Sequence, residues 1–230
     1  MTILDTAQTI IIFGDSYSSE GDAPDTTWVK HLRKDLSSDV VMHNFSFPGA
    51  TAEHDLADQL FQYLSKPRPN DELWSASPPN EICYILFFGI NDCGSNQECF
   101  LSDIVSKILE AAQRLYDEAA ARNFLFIDVP PIDRSPSGVK FDCADIIERR
   151  VQTWNEEFRT QIVEFQANTA TAKVNIFSLH QVLSKILDDP EDFDFTEDDS
   201  TTEGGAIWVD ELHLTSEVHE IIAEQIRKAS

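Results

Sequence analysis

Five short apolar runs recur along the chain: TIIIF (9–13), DVVMHNF (39–45), EICYILFF (81–88), NFLFIDV (123–129) and KVNIFS (173–178). Runs apolar on both alternating faces mark strands buried on both sides of a parallel sheet. Between them the apolar period lengthens. Over 100–119, Phe100, Ile104, Ile108, Leu115 and Ala119 share one side, with Leu101, Val105, Leu109, Ala112 and Tyr116 beside them. Over 143–167, Val151, Trp154, Phe158, Ile162 and Phe165 step by three or four, and over 216–228 Val218, Ile221, Ile222 and Ile226 fall on one stripe. That is helical spacing. Strands alternating with helices predict an α/β fold: a three-layer, doubly wound parallel sheet of about five strands, in the flavodoxin-like order 2-1-3-4-5. With no internal repeat and no visible linker, residues 1–230 read as one domain. Ligands of such sheets bind beyond the carboxyl ends of the strands, so reactive residues are expected there.

Four segments meet that expectation. The first strand runs into Gly14-Asp15-Ser16, the second is followed by FPGAT with Gly49, and the third by GIND with Gly89 and Asn91. Just before the last helix, WVDELHLTSEVHEIIA sets Asp210 and His213 three apart. Each has a plainer reading. Gly-Asp-Ser and Gly-x-Asn-Asp are ordinary turn chemistry. Gly49 can serve only as a permissive backbone position. His213 can be an exposed histidine before a helix capped by Thr215, and Asp210 a surface acid. The other histidines (31, 43, 54, 180 and 219) keep the plain reading, with His54 a weak pocket candidate.

Taken together the four segments supply a serine hydrolase: a nucleophile (Ser16), a base (His213), an acid to orient the base (Asp210), and oxyanion donors. At i, i+3 the carboxylate can hold the imidazole Nδ1–H and leave Nε2 for Ser16. The backbone N–H groups of Ser16 and Gly49 and the Asn91 amide would meet at one point from adjacent strand ends. Asn91 donates without carrying charge, and at Gly49 a side chain is expected to crowd the substrate. No Gly-x-Ser-x-Gly elbow and no Gly-x-Gly-x-x-Gly or phosphate loop occurs, which argues against an α/β-hydrolase or a nucleotide enzyme.

FGDSYS, the Gly49 loop, GIND and DELH, in this order, resemble the four blocks of the SGNH (GDSL) hydrolases, and the match spans Ser16 to His213. By that resemblance Ser16, Gly49, Asn91 and His213 are the family's four named residues, and Asp210 completes the triad. VPPIDRSP (129–136) and HLTSEVHEIIA (213–223) are similar to fungal members near carbohydrate esterase family 16, the acetyl esterases. Those proteins are usually secreted and longer, and Leu214 stands where they often carry proline. The resemblance implies a serine esterase of short, acetyl-type esters, with an acetylated sugar as the favoured substrate and no cofactor or metal. A lipase-like or phospholipid acyl hydrolase or acyltransferase on the same triad is the alternative. A carbohydrate-binding or interaction module that retains the motifs is the non-enzymatic one.

Charge narrows the partners. The formal net charge is −24, so the surface repels nucleic acid and anionic membranes and favours a neutral small-molecule substrate. No apolar run is long enough for a membrane span. MTILDTAQ lacks a signal peptide's features, so the chain reads as cytoplasmic as written, or as secreted if a leader has been removed. Cys83, Cys93, Cys99 and Cys143 make no disulfide framework. Cys93 and Cys99 are either bridged locally or free. Asn44-Phe45-Ser46 is a formal glycosylation sequon. Nine acids and no base fill 188–205. As a calcium loop, Asp192, Asp194, Thr196, Asp198, Ser200 and Glu203 take the ligand positions, but Glu197 occupies the place of the turn glycine. A solvated acidic loop is the better reading. Because it precedes Asp210 and His213, it is expected to border the pocket.

Overall fold

The computed structural model describes residues 2–20, 26–65 and 77–229. Five parallel strands form one sheet: β1 Thr9–Gly14, β2 Val41–Asn44, β3 Ile82–Phe87, β4 Asn123–Ile127 and β5 Lys173–Phe177. Their order, β2-β1-β3-β4-β5, is the expected one. β1 and β4 are buried along their whole length and β3 along nearly all of it. That is why these runs are apolar at successive positions. The edge strands β2 and β5 are only partly covered and carry polar residues.

Among the described residues eight α-helices follow the strands: α1 Trp28–Asp35, α2 Leu56–Leu64, α3 Ile90–Ser95, α4 Leu101–Glu118, α5 Pro136–Lys140, α6 Ala144–Asn168, α7 Leu179–Asp188 and α8 Ser216–Ala229. α1 and α7 pack on α8, and α2 and α6 pack on α4. The helical spacings read in the sequence correspond to α4, α6 and α8. All five apolar positions named on α6 are buried. Phe100 departs from the expectation. It lies in the turn before α4 and is exposed. Phe124 and Phe126 of β4 stack face to face and meet Phe165 of α6 edge-on, and Phe126 meets Phe158 the same way. Each such ring contributes roughly 1.5–3 kcal/mol by leaving water.

At the end of β1, which outlasts β2, and just beyond the end of β4, buried side-chain amides take up backbone hydrogen bonds. The carbonyl of Ile12 accepts from Phe45 beyond β2. Two residues on, Gly14 points to the same side, where β2 has ended. There Gln59 Oε1 accepts the Gly14 N–H at 3.0 Å and Gln59 Nε2 donates to its carbonyl at 2.8 Å. Beyond β4, Asn155 of α6 binds the N–H and the carbonyl of Val129, each at 2.9 Å. Both side chains are buried, so each bond satisfies a backbone group that would otherwise be stranded.

Gly89 starts α3 at φ +119°, and a Cβ there would lie 2.4 Å from Val129 Cγ2 and 2.5 Å from Trp154 Cε2. Gly89→Ala should therefore destabilise the fold by roughly 2–5 kcal/mol, through backbone strain and overpacking together. A urea titration checks this. A midpoint equal to that of the unaltered chain would contradict the steric argument.

Candidate active site

Ser16 lies two residues beyond β1, in a turn shaped by Asp15. The Asp15 Oδ1 accepts the Tyr17 N–H at 3.0 Å, and its backbone carbonyl accepts the Ser18 N–H at 3.1 Å. Asp15 is fully buried, and its Oδ2 has no hydrogen-bond partner among the described residues. Burial, with a smaller contribution from the nearby Asp92 charge, pushes its carboxyl up to about 7.

From the other end of the chain comes the segment before α8. His213 Nε2 stands 3.0 Å from Ser16 Oγ, and His213 Nδ1 stands 2.8 Å from Asp210 Oδ2. The second oxygen of Asp210 accepts the backbone N–H groups of Leu212 and His213 at 2.8 and 2.7 Å. The turn is thus wound around the carboxylate that holds the imidazole. Partial burial alone would raise the Asp210 carboxyl. The N–H bonds from His213 and Leu212 and the imidazole outweigh it and hold the carboxyl below its usual value. His213 and Asp210 are both accessible, with side chains 44% and 49% exposed, so a small molecule can reach the pair from solvent.

The oxyanion candidates come from the two neighbouring strand ends. The Asn91 amide donates to the Ala50 carbonyl at 2.9 Å, which binds the start of α3 to the Gly49 loop. One residue on, the buried Asp92 accepts the N–H groups of Ala52 and Glu53 at 3.0 and 3.1 Å. The backbone N–H groups of Ser16 and Gly49 have no acceptor among the described residues. At Gly49 a Cβ would meet no atom of the described residues within 4 Å, and its φ of +79° is one that L side chains rarely adopt, so the backbone conformation by itself favours glycine.

Ser16, Asp210 and His213 are therefore joined by hydrogen bonds, and Asn91 is bound to the loop of Gly49. Other residues singled out in the sequence lie elsewhere. His54 faces solvent beside Glu53 at 3.4 Å. All four cysteines are free, with Cys93 buried and Cys99 exposed. Asn44 donates its amide to the Ser18 carbonyl at 2.7 Å, so a glycan there would break a bond behind the Ser16 turn. In the acidic segment Asp199 accepts from Thr196 and from the Ala206 N–H, closing a local cap. No group of three or more His, Cys, Asp or Glu among the described residues is placed to hold a metal ion.

Gln59, Asp92 and Tyr17 support the site without having been singled out in the sequence. Gln59 had a legible signal: it sits among Leu56, Leu60 and Tyr63 on the buried stripe of α2. A polar residue on such a stripe needs a partner.

The GDSL-like lipase/acylhydrolase pattern matches residues 10–226. The chain belongs to that family. This GDSL-like protein is accordingly a carboxylic ester hydrolase. It is 23% identical to an acetylesterase of Thermothelomyces thermophilus, over 96% of this chain and 87% of the relative. Two solved structures share its fold. The acetyl xylan esterase AlAXEase superposes with a TM-score of 0.58 at 15% identity, covering 96% of this chain and 98% of that one. A gut microbial diltiazem-metabolizing enzyme does so at 0.58 and 14%, covering 97% of this chain. The GDSL-like chain spans 46% of that enzyme's length. No helix among the described residues is long and apolar enough to cross a membrane.

The buried Asp15 carboxyl, bonded on one oxygen only, has a measurable consequence. Unfolded, the group titrates near 3.8; folded, near 7. The folded state keeps the proton across that window. Its stabilising contribution is full below about pH 4, falls as pH rises towards 7, and is constant above. Urea unfolding of the wild type and of Asp15→Asn should therefore diverge between pH 4 and 7, the variant gaining relative stability by up to about 1.4 kcal/mol per pH unit. A difference independent of pH would contradict the assignment.

Proposed function

We propose that this protein hydrolyses short-chain esters, acetyl esters foremost, through an acyl-serine on Ser16. The observation that carries this reading is the unbroken chain from Ser16 Oγ through His213 to Asp210, at 3.0 and 2.8 Å. Ser16 Oγ attacks the ester carbonyl carbon while His213 Nε2 takes its proton. Asp210 stabilises the imidazolium and keeps the ring's orientation. The carbonyl oxygen, now an oxyanion, accepts from the N–H groups of Ser16 and Gly49 and from the Asn91 amide proton not bound to Ala50. His213 then gives its proton to the departing alcohol oxygen. In the second half His213 removes a proton from water, the hydroxyl attacks the acyl-serine, and the proton returns to Ser16 Oγ as the acid leaves. None of these steps calls for a metal or cofactor.

The acetyl preference rests on the fungal acetylesterase relative and on the accessible triad. An acetylated sugar fits a strongly acidic surface better than an anionic lipid does, because a neutral substrate meets no repulsion. One observation favours a larger apolar group. Val139 and Phe141, 58% and 62% exposed, lie on and just after α5, which is bound to the triad turn. The Ser137 N–H donates to the Glu211 carbonyl at 2.9 Å, and Lys140 pairs with the Glu211 carboxylate.

Ser16→Ala should lose on the order of a thousand-fold or more in kcat, because no nucleophile remains. Equal hydrolysis by both proteins would rule out the mechanism. Rates on acetyl and octanoyl p-nitrophenyl esters should favour acetyl. A clear preference for octanoyl would replace the acetyl esterase by the lipase-like reading.

A further inference from the structure

The residue after Ser16 is Tyr17, whose side chain is almost completely buried. Its hydroxyl donates to the Leu212 carbonyl at 2.7 Å, across 195 residues of sequence. That carbonyl belongs to the same planar peptide group as the His213 N–H. The N–H is held in turn by Asp210 Oδ1 at 2.7 Å. One rigid plane is therefore bound at both ends, by Tyr17 on the carbonyl side and Asp210 on the amide side. The Tyr17 ring also lies against the His213 ring, with centroids 6.1 Å apart, and edge-on to Phe87 and His219. The Tyr17 N–H is fixed by Asp15 Oδ1 at 3.0 Å. The turn that presents Ser16 and the peptide that carries His213 are thus connected through one side chain.

A peptide plane bound on one side only can rock about its Cα–Cα axis. Rocking here would swing the Cα–Cβ bond of His213 and change the separation of Nε2 from Ser16 Oγ, 3.0 Å as it stands. Small misplacements of this kind are costly, because proton transfer needs the two atoms within hydrogen-bond reach. We propose that Tyr17 is a positioning residue, whose hydroxyl clamps the Leu212–His213 peptide and so sets the base at its working distance from the nucleophile. This rests on the triad reading of Ser16 and His213.

Tyr17→Phe keeps the ring and removes only the clamp. Tyr63→Phe serves as the control, since it deletes another buried hydroxyl, 2.8 Å from that of Tyr84 and outside the site. At a temperature well below both melting transitions, Tyr17→Phe should lose on the order of ten-fold in kcat on p-nitrophenyl acetate. Its KM should stay within about two-fold of wild type, and Tyr63→Phe should keep both constants within the same range. Tyr17→Leu, lacking ring and hydroxyl, should lose at least as much kcat. A Tyr17→Phe or Tyr17→Leu kcat at the wild-type level would overturn the proposal, as would an equal loss in Tyr63→Phe. Ser16→Ala runs alongside. Wild-type turnover in that variant would remove the triad reading itself, whereas an inactive Ser16→Ala beside a fully active Tyr17→Phe removes the clamp alone.

Discussion

The site depends on the parallel register of three strands. Pairing of Gly14 with Phe87 ends β1 and β3 side by side, and pairing of Ile12 with Asn44 ends β2 two residues earlier. Because parallel strands all point the same way, every following loop emerges on one edge of the sheet. Ser16, the Gly49 loop and Asn91 are neighbours for that reason, although Gly49 is more than thirty positions from Ser16 in sequence. Only His213 and Asp210 have to be brought in from elsewhere.

Holding those loops requires polar groups in dry places. Gln59 completes the hydrogen bonding of Gly14 where β1 outlasts β2, and Asn155 does the same for Val129 beyond β4. Asp92 ties down the loop after Gly49, and Asp15 shapes the turn of Ser16. Burying such groups is costly unless they are bonded, and then it rigidifies the loops they hold. Asp15 is bonded on one oxygen only, and the cost shows as a carboxyl that favours its protonated form. Under the proposed mechanism such an arrangement is pre-organised: the Ser16–His213–Asp210 hydrogen bonds are made before a substrate arrives.

Much of this was legible in the chain because it rests on periodicity and on residue type. The central strands are apolar at successive positions because both their faces are covered, so TIIIF and EICYILFF declare themselves and the strand order follows from the alternation. Ser16, Asn91, Asp210 and His213 sit at strand ends or before the last helix, where a doubly wound sheet puts its chemistry. What escaped depends on three-dimensional partners. Short helices such as α3 and α5 give too few residues for a period. Gly49 gives no hint in one letter that its φ is positive. Tyr17 reads as a core aromatic until its hydroxyl is seen on the Leu212 carbonyl. Within the acidic run 188–205, Asp199 is taken up by the loop's own N–H groups, a partnership that spacing does not show.

The central claim is that Ser16 is the nucleophile activated by His213. Its most direct test is covalent capture. The protein is treated with diethyl p-nitrophenyl phosphate, whose phosphorus accepts an activated serine oxygen and releases p-nitrophenolate, and the adduct is located by intact mass and peptide mapping. The account predicts one diethylphosphoryl group per chain, on Ser16, with loss of esterase activity in step and little labelling of His213→Ala. Full inactivation with the label on another residue, or full labelling of His213→Ala, would contradict it.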